Sequence, residues 1–134
     1  MNKSRRKYLI GIVVALFIIW FIADAVNEPS VQDLKGNLEE VAFYRNENNT
    51  GPIIRIYAVT LTDTLWQEME QYGKFMPHTK YGNTKVYFFL SERPFPKTVN
   101  PGAENFPAEL QKYCLARYEK DAMGNVSFRK YPFL

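Results

Sequence analysis

Residues 84–91 read TKVYFFLS, the most apolar run in the chain outside its N-terminus. Val86, Phe88 and Leu90 alternate with Tyr87 and Phe89, so an extended segment here is apolar on both faces. A strand without a polar face needs cover on two sides, which places it at the centre of a sheet. Just upstream, TDTLWQEMEQYG (62–73) changes period. Leu65, Met69 and Tyr72 fall at helical spacing beside Trp66, Thr64 with Gln67 matches a capping box, and Gly73 suits the position after a helix end. Before that, IIRIYAVT (53–60) is β-branched and aromatic, with Ile54, Ile56 and Ala58 on one face. Strand, helix and strand in this order predict a right-handed crossover between two parallel strands.

Further outward, LEEVAFYR (38–45) alternates with Val41 and Phe43 on one side, and the turn formers NENNTGP (46–52) follow it. These predict a hairpin with strand 53–60. Asn48-Asn49-Thr50 and Asn125-Val126-Ser127 have the form of glycosylation sequons, a triplet too common to decide anything. Towards the C-terminus, Pro107 fits the first turn of a helix through AELQKY. The remaining YCLARYEKDAMGNVSFRKYPF (113–133) reads as a hairpin turning at Asp121–Asn125, because VSFRKY needs a strand partner. The alternative is a helix continuing to Met123, with Leu110, Cys114 and Tyr118 on one face. The expected fold class is α+β: a mixed sheet of about five strands with one or two helices packed on it, in the order β-β-α-β-α-β-β.

The N-terminus has a different composition. Lys3, Arg5, Arg6 and Lys7 precede an uninterrupted apolar run from Leu9 to Ala23, closed by Asp24. A helix apolar all round belongs in a membrane. Fifteen residues rise about 22 Å, so Tyr8 and the Asp24–Val26 end must extend the span and Arg6 and Lys7 must snorkel. The segment reads first as a signal anchor. The alternative is a signal peptide cleaved after Ala25, since Ala23-Asp24-Ala25 has the small-x-small form. The basic flank places the N-terminus in the cytoplasm and the body beyond the bilayer, periplasmic or extracellular. The expected organisation is an anchor or signal at 1–26, a polar spacer at 27–37, and an extracytoplasmic domain at 38–134.

The formal charge of +3 belongs to that flank. From Tyr8 onward 13 Lys and Arg face 14 Asp and Glu, so there is no basic stripe for a nucleic-acid backbone. Cys114 is the single cysteine, so the fold is held by packing without an internal disulfide. Aromatic residues make up 16% of the chain, enough to offset the entropy of ordering such a small domain.

Catalytic groups are sparse. His78 is the single histidine and sits in FMPHTKYGN with no carboxylate beside it. A Cys114–His78 thiol dyad would require the two to meet in space. One His and one Cys do not make a zinc set, no calcium loop or Gly-rich phosphate loop is recognisable, and no cofactor is expected. Paired carboxylates remain as a route to hydrolysis, from Glu39, Glu40, Glu68, Glu70 and Glu92.

One unusual stretch is left. SERPFPKTVNPGAENFP (91–107) carries four prolines and no regular period. Stiffened by proline, it reads either as an ordered crossing loop packed by its own phenylalanines or as a contact surface presenting Arg93, Phe95 and Phe106. A ligand pocket lined by Trp66, Tyr87 and Phe89 is a further candidate. These residues together predict a membrane-tethered interaction domain contacting another envelope protein or a surface polymer. A small carboxylate hydrolase and a ligand sensor are the alternatives.

Overall fold

The computed structural model describes residues 2–26, 30–47 and 51–134. The sequon at 48–50 and the start of the expected spacer, 27–29, lie outside the described residues. The chain divides into two compact units, Met1–Ser30 and Val31–Leu134.

The first unit is helix α1, Lys3–Val26, with no buried residue. Its 24 residues rise about 36 Å, more than the roughly 30 Å hydrocarbon thickness. The mean hydropathy of its most apolar 18-residue window is 2.7. The helix is therefore long and apolar enough for a membrane anchor, and a signal peptide shares these properties.

In the second unit, five strands form one sheet in sequence order: β1 (Glu39–Arg45), β2 (Ile54–Leu61), β3 (Asn83–Leu90), β4 (Cys114–Lys120) and β5 (Val126–Lys130). β2 and β3 are parallel and every other neighbouring pair is antiparallel. A parallel pair needs a crossover, supplied by helix α2, Trp66–Phe75. β3 is the central strand, and both of its faces are covered. Val86 and Phe88 join Tyr57, Val59, Ala116 and Tyr118 beneath Met69 and Tyr72 of α2. On the opposite face Tyr87 and Phe89 join Ala42, Ile56, Ala58 and Cys114 beneath Val99 and Phe106 of the proline-rich loop. Phe88 and Phe89 are both 0% exposed, each contributing about 1.5–3 kcal/mol by leaving water.

Local details depart from the expected pattern where backbone geometry intervenes. β1 carries an irregularity between Glu40 and Ala42. Val41, Ala42 and Tyr44 consequently pack on the loop side, whereas Phe43 lies against Tyr57, with ring centroids 4.9 Å apart. Val41 and Phe43 therefore do not share a face, because a bulge shifts the alternation by one. The capping box at Thr64 does not form. Leu65 is the N-cap of α2 and makes no side-chain cap bond, and the Thr64 N–H is taken by Asp63 Oδ1 at 2.8 Å. Gly73 is not a terminator but a buried interior residue of α2. A Cβ on it would run into the Tyr118 ring, so glycine is what lets helix and sheet approach.

The C-terminal half settles as the hairpin. Asp121 Oδ1 accepts the N–H groups of Met123 and Asn125, both at 2.9 Å, and Gly124 supplies φ +82°. This Asx-type turn joins β4 to β5. The helix expected after Pro107 is a single 3₁₀ segment, Ala108–Tyr113, which ends where β4 begins. The segment read as a spacer contributes to the domain from Val31 onward. Val31 and Leu34 pack on the helix-side core, the Lys35 N–H reaches Glu68 Oε2 at 3.0 Å, and Gly36 O accepts Thr62 N–H at 2.8 Å.

Candidate functional site

The proline-rich stretch is ordered by what it buries. Pro96, Val99, Asn105 and Phe106 are buried, with Phe106 at 4% exposure. The Phe106 ring meets Tyr87 at 4.9 Å, Phe89 at 5.4 Å and Phe133 at 5.6 Å, all near-perpendicular. Edge-to-face contacts of this kind add to simple area burial. The Asn105 amide and the Tyr87 hydroxyl taken inside are satisfied. Tyr87 O–H donates to Asn105 Oδ1 at 2.5 Å, and Asn105 Nδ2 donates to Asn100 O at 2.9 Å. The stretch is thus the lid of the loop-side core.

Its place in the fold separates the residues singled out from the sequence. Phe106 points inward and Phe95 is half-buried on the same core, whereas Arg93 is exposed. The three do not form one outward surface. Trp66 packs on the helix-side core, with Tyr131 edge-on at 5.5 Å and Lys130 Nζ 5.0 Å from its ring. Tyr87 and Phe89 lie on the other side of the sheet. The sheet thus separates Trp66 from Tyr87 and Phe89.

A cleft opens at the carboxyl ends of the parallel strands β2 and β3. One part, of about 250 Å³, is lined by Thr62, Asp63, Thr64, Leu90, Glu92 and Arg93. A second part of about 260 Å³ shares Thr64, Leu90 and Arg93 and adds Lys112, Tyr113, Leu115 and Tyr131. The geometry follows from topology. Parallel strands release their chains at the same end, one into α2 and the other into the proline-rich loop, leaving a crevice between the two exits. Backbone bonds fix its walls: Ser91 N–H donates to Leu61 O at 3.0 Å, and Tyr131 N–H to Leu115 O at 2.8 Å. The lining offers two carboxylates, two cations and two phenols. Apart from Arg93 and Glu92, the sequence reading missed these residues. The signal that could have found them is the carboxyl end of the expected parallel pair, where open sheets with a crossover leave a crevice.

The other reactive groups are dispersed. Cys114 is 2% exposed, burial pushes its thiol up to about 12, and its Sγ donates to Ala116 O at 3.4 Å. His78 Nδ1 is 2.9 Å from Thr84 Oγ1 at the opposite end of β3 from Phe89, the partner of Cys114. Five strand residues separate those rows, roughly 16 Å, so no thiol–imidazole dyad forms. His78 borders a third cavity of about 300 Å³ with Lys80, Tyr81, Lys120 and Met123. Burial and then Lys120 and Arg55 lower its pKa. Glu119 is engaged by Asn83 Nδ2 at 2.8 Å and Glu68 by the Lys35 N–H. Among the described residues, no three His, Cys, Asp or Glu side chains cluster to hold a metal.

Burial also raises the Tyr57 and Tyr118 hydroxyls and lifts those of Tyr72 and Tyr87 to about 12. In the unfolded chain these groups ionise near 10. Above that value the folded state holds protons that the unfolded state has lost, so stability falls as pH rises. Denaturant midpoints are expected to hold steady up to about pH 9 and then fall steeply between about pH 10 and 12. A flat profile across that window would mean the phenols are not buried.

Comparison with protein-family models, with curated proteins and with solved structures returned no match.

Proposed function

We propose that the protein is a membrane-tethered binding domain that works outside the cytoplasm, holding another envelope protein or a surface polymer without turnover. The cleft at the carboxyl ends of β2 and β3 is its binding site. Support for the location comes from the basic residues Lys3 to Lys7 on one flank of the apolar helix, the arrangement retained on the cytoplasmic side. Support for binding comes from the cleft lining. Arg93 and Lys112 are exposed cations set beside Tyr113 and the exposed Tyr131, side chains suited to polar, multi-contact recognition. The near-neutral body speaks against a nucleic-acid partner.

Asp63 and Glu92 line one part of the cleft together, which is the observation that favours carboxylate-based hydrolysis. Both side chains are exposed and Asp63 already accepts the Thr64 N–H. A general acid at neutral pH needs the opposite environment, a desolvated one that retains its proton. Binding is therefore the better account.

The test is affinity capture with the full chain in its native membrane. Arg93→Ala and Tyr131→Ala are expected to leave the fold intact and lower recovery of the captured partner at least tenfold. Unchanged recovery would show that the partner does not bind in the cleft. Release of shortened polymer by the wild type, lost in Glu92→Gln, would establish the hydrolase in its place.

A further inference from the structure

The two edges of the sheet are complementary in register. Successive pairings define rows that cross all five strands. Glu40 lies opposite Val59, Val59 opposite Phe88, Phe88 opposite Ala116, and Ala116 opposite Lys130. One row therefore begins in a carboxylate on the β1 edge and ends in an ammonium on the β5 edge. A second row runs from Phe43 through Tyr57, Val86 and Tyr118 to Phe128, and a third from Tyr44 to Ser127. Glu40, Phe43, Arg129 and Lys130 are exposed, as are Val126 and Ser127.

We infer that copies of this chain join edge to edge, β5 of one copy pairing with β1 of the next. The strand directions allow it. β5 is antiparallel to β4 and so runs with β3 and β2, opposite to β1. Continuing the sheet into a second copy without turning it over makes the seam antiparallel, the more stable pairing. Continuing each row then sets Glu40 opposite Lys130, an attractive cross-strand pair, and Phe43 opposite Phe128, an aromatic one on the helix side. Charges on sheet edges ordinarily prevent such pairing. That protection fails when the charges in one row are opposite in sign. A β1–β1 seam is the poorer solution, because each strand would bring its Glu40–Ala42 irregularity to the same junction. The joint is heterologous and does not close by itself, so copies extend in a line. This proposal is independent of the cleft.

Cysteine cross-linking of the full chain in membranes tests it. One tagged population carries Tyr44→Cys and a differently tagged one Ser127→Cys. Directly opposite residues have Cα atoms about 4.5–5.5 Å apart, within disulfide reach. Native Cys114 is 2% exposed and serves as the background in unsubstituted chains. Mixed disulfides are expected at least fivefold above those of Tyr44→Cys with Lys130→Cys, which lies three residues out of register, about 10 Å away. Arg45→Cys with Val126→Cys provides a second in-register pair. Adding Glu40→Lys to the Tyr44→Cys chain is expected to cut the yield at least threefold, and adding Lys130→Glu to its partner to restore it. Mixed yields at the out-of-register level for both pairs would overturn the proposal. So would equal cross-linking within either population alone, or no response to the charge exchange.

Discussion

Phe106→Ala is expected to destabilise the domain by about 3–5 kcal/mol, the usual cost of emptying an aromatic site in a packed core. A domain of this size has only about 5–15 kcal/mol in total, so the variant will be close to unfolding at ambient temperature. The size of the effect follows from position. Phe106 is 4% exposed and its ring is enclosed by Tyr87, Phe89 and Phe133 over the central strand. Arg93→Ala, in the same loop but exposed, should move stability by no more than about 0.5 kcal/mol. Near-ultraviolet circular dichroism of the aromatic core during denaturation measures both. A Phe106→Ala cost below about 1 kcal/mol would show that the proline-rich loop rests on the sheet without closing it.

Gly73→Ala is the second large effect, and its sign runs against helix propensity. In the middle of an exposed helix, alanine would gain about 1 kcal/mol over glycine. Here a Cβ meets Cγ and both Cδ atoms of Tyr118, which are the root of the ring and not its movable end. Relief requires α2 to lift from β4, and overpacking of this kind costs about 1–3 kcal/mol or more. We expect a net loss of about 2 kcal/mol, or roughly 8–16 °C in Tm for a domain near 100 residues. Replacing Tyr118 by Leu in the same chain should recover part of it. A raised Tm for Gly73→Ala alone would mean that helix and sheet are not in close contact at this point.

The fold was legible wherever a long apolar pattern carried the signal. TKVYFFLS announces a strand covered on both faces because five successive residues are large and apolar. The hairpin after Tyr113 was legible in DAMGN, whose Asp and Gly do the turning. What escaped was local geometry with no compositional mark. The β1 irregularity inserts a residue that the alternation of 38–45 does not betray. Gly73 looked like a stop because its real reason, the Tyr118 ring, lies 45 residues away. The cleft was least legible of all. Its walls come from 62–64, 90, 92–93, 112–113, 115 and 131, brought together by the parallel crossover and not by any motif. Inward burial of Phe106 likewise depends on where the loop crosses the sheet, and the run of prolines said only that it would be stiff.

We propose that α1 holds the sheet domain to the outer face of a membrane. Tags placed before Met1 and after Leu134 test it directly in cells stripped of their outer barrier and treated with added protease. The C-terminal tag is expected to be removed at once, while the N-terminal tag survives until the bilayer is broken. A C-terminal tag that stays protected in intact cells and is lost only on permeabilisation would contradict the proposal.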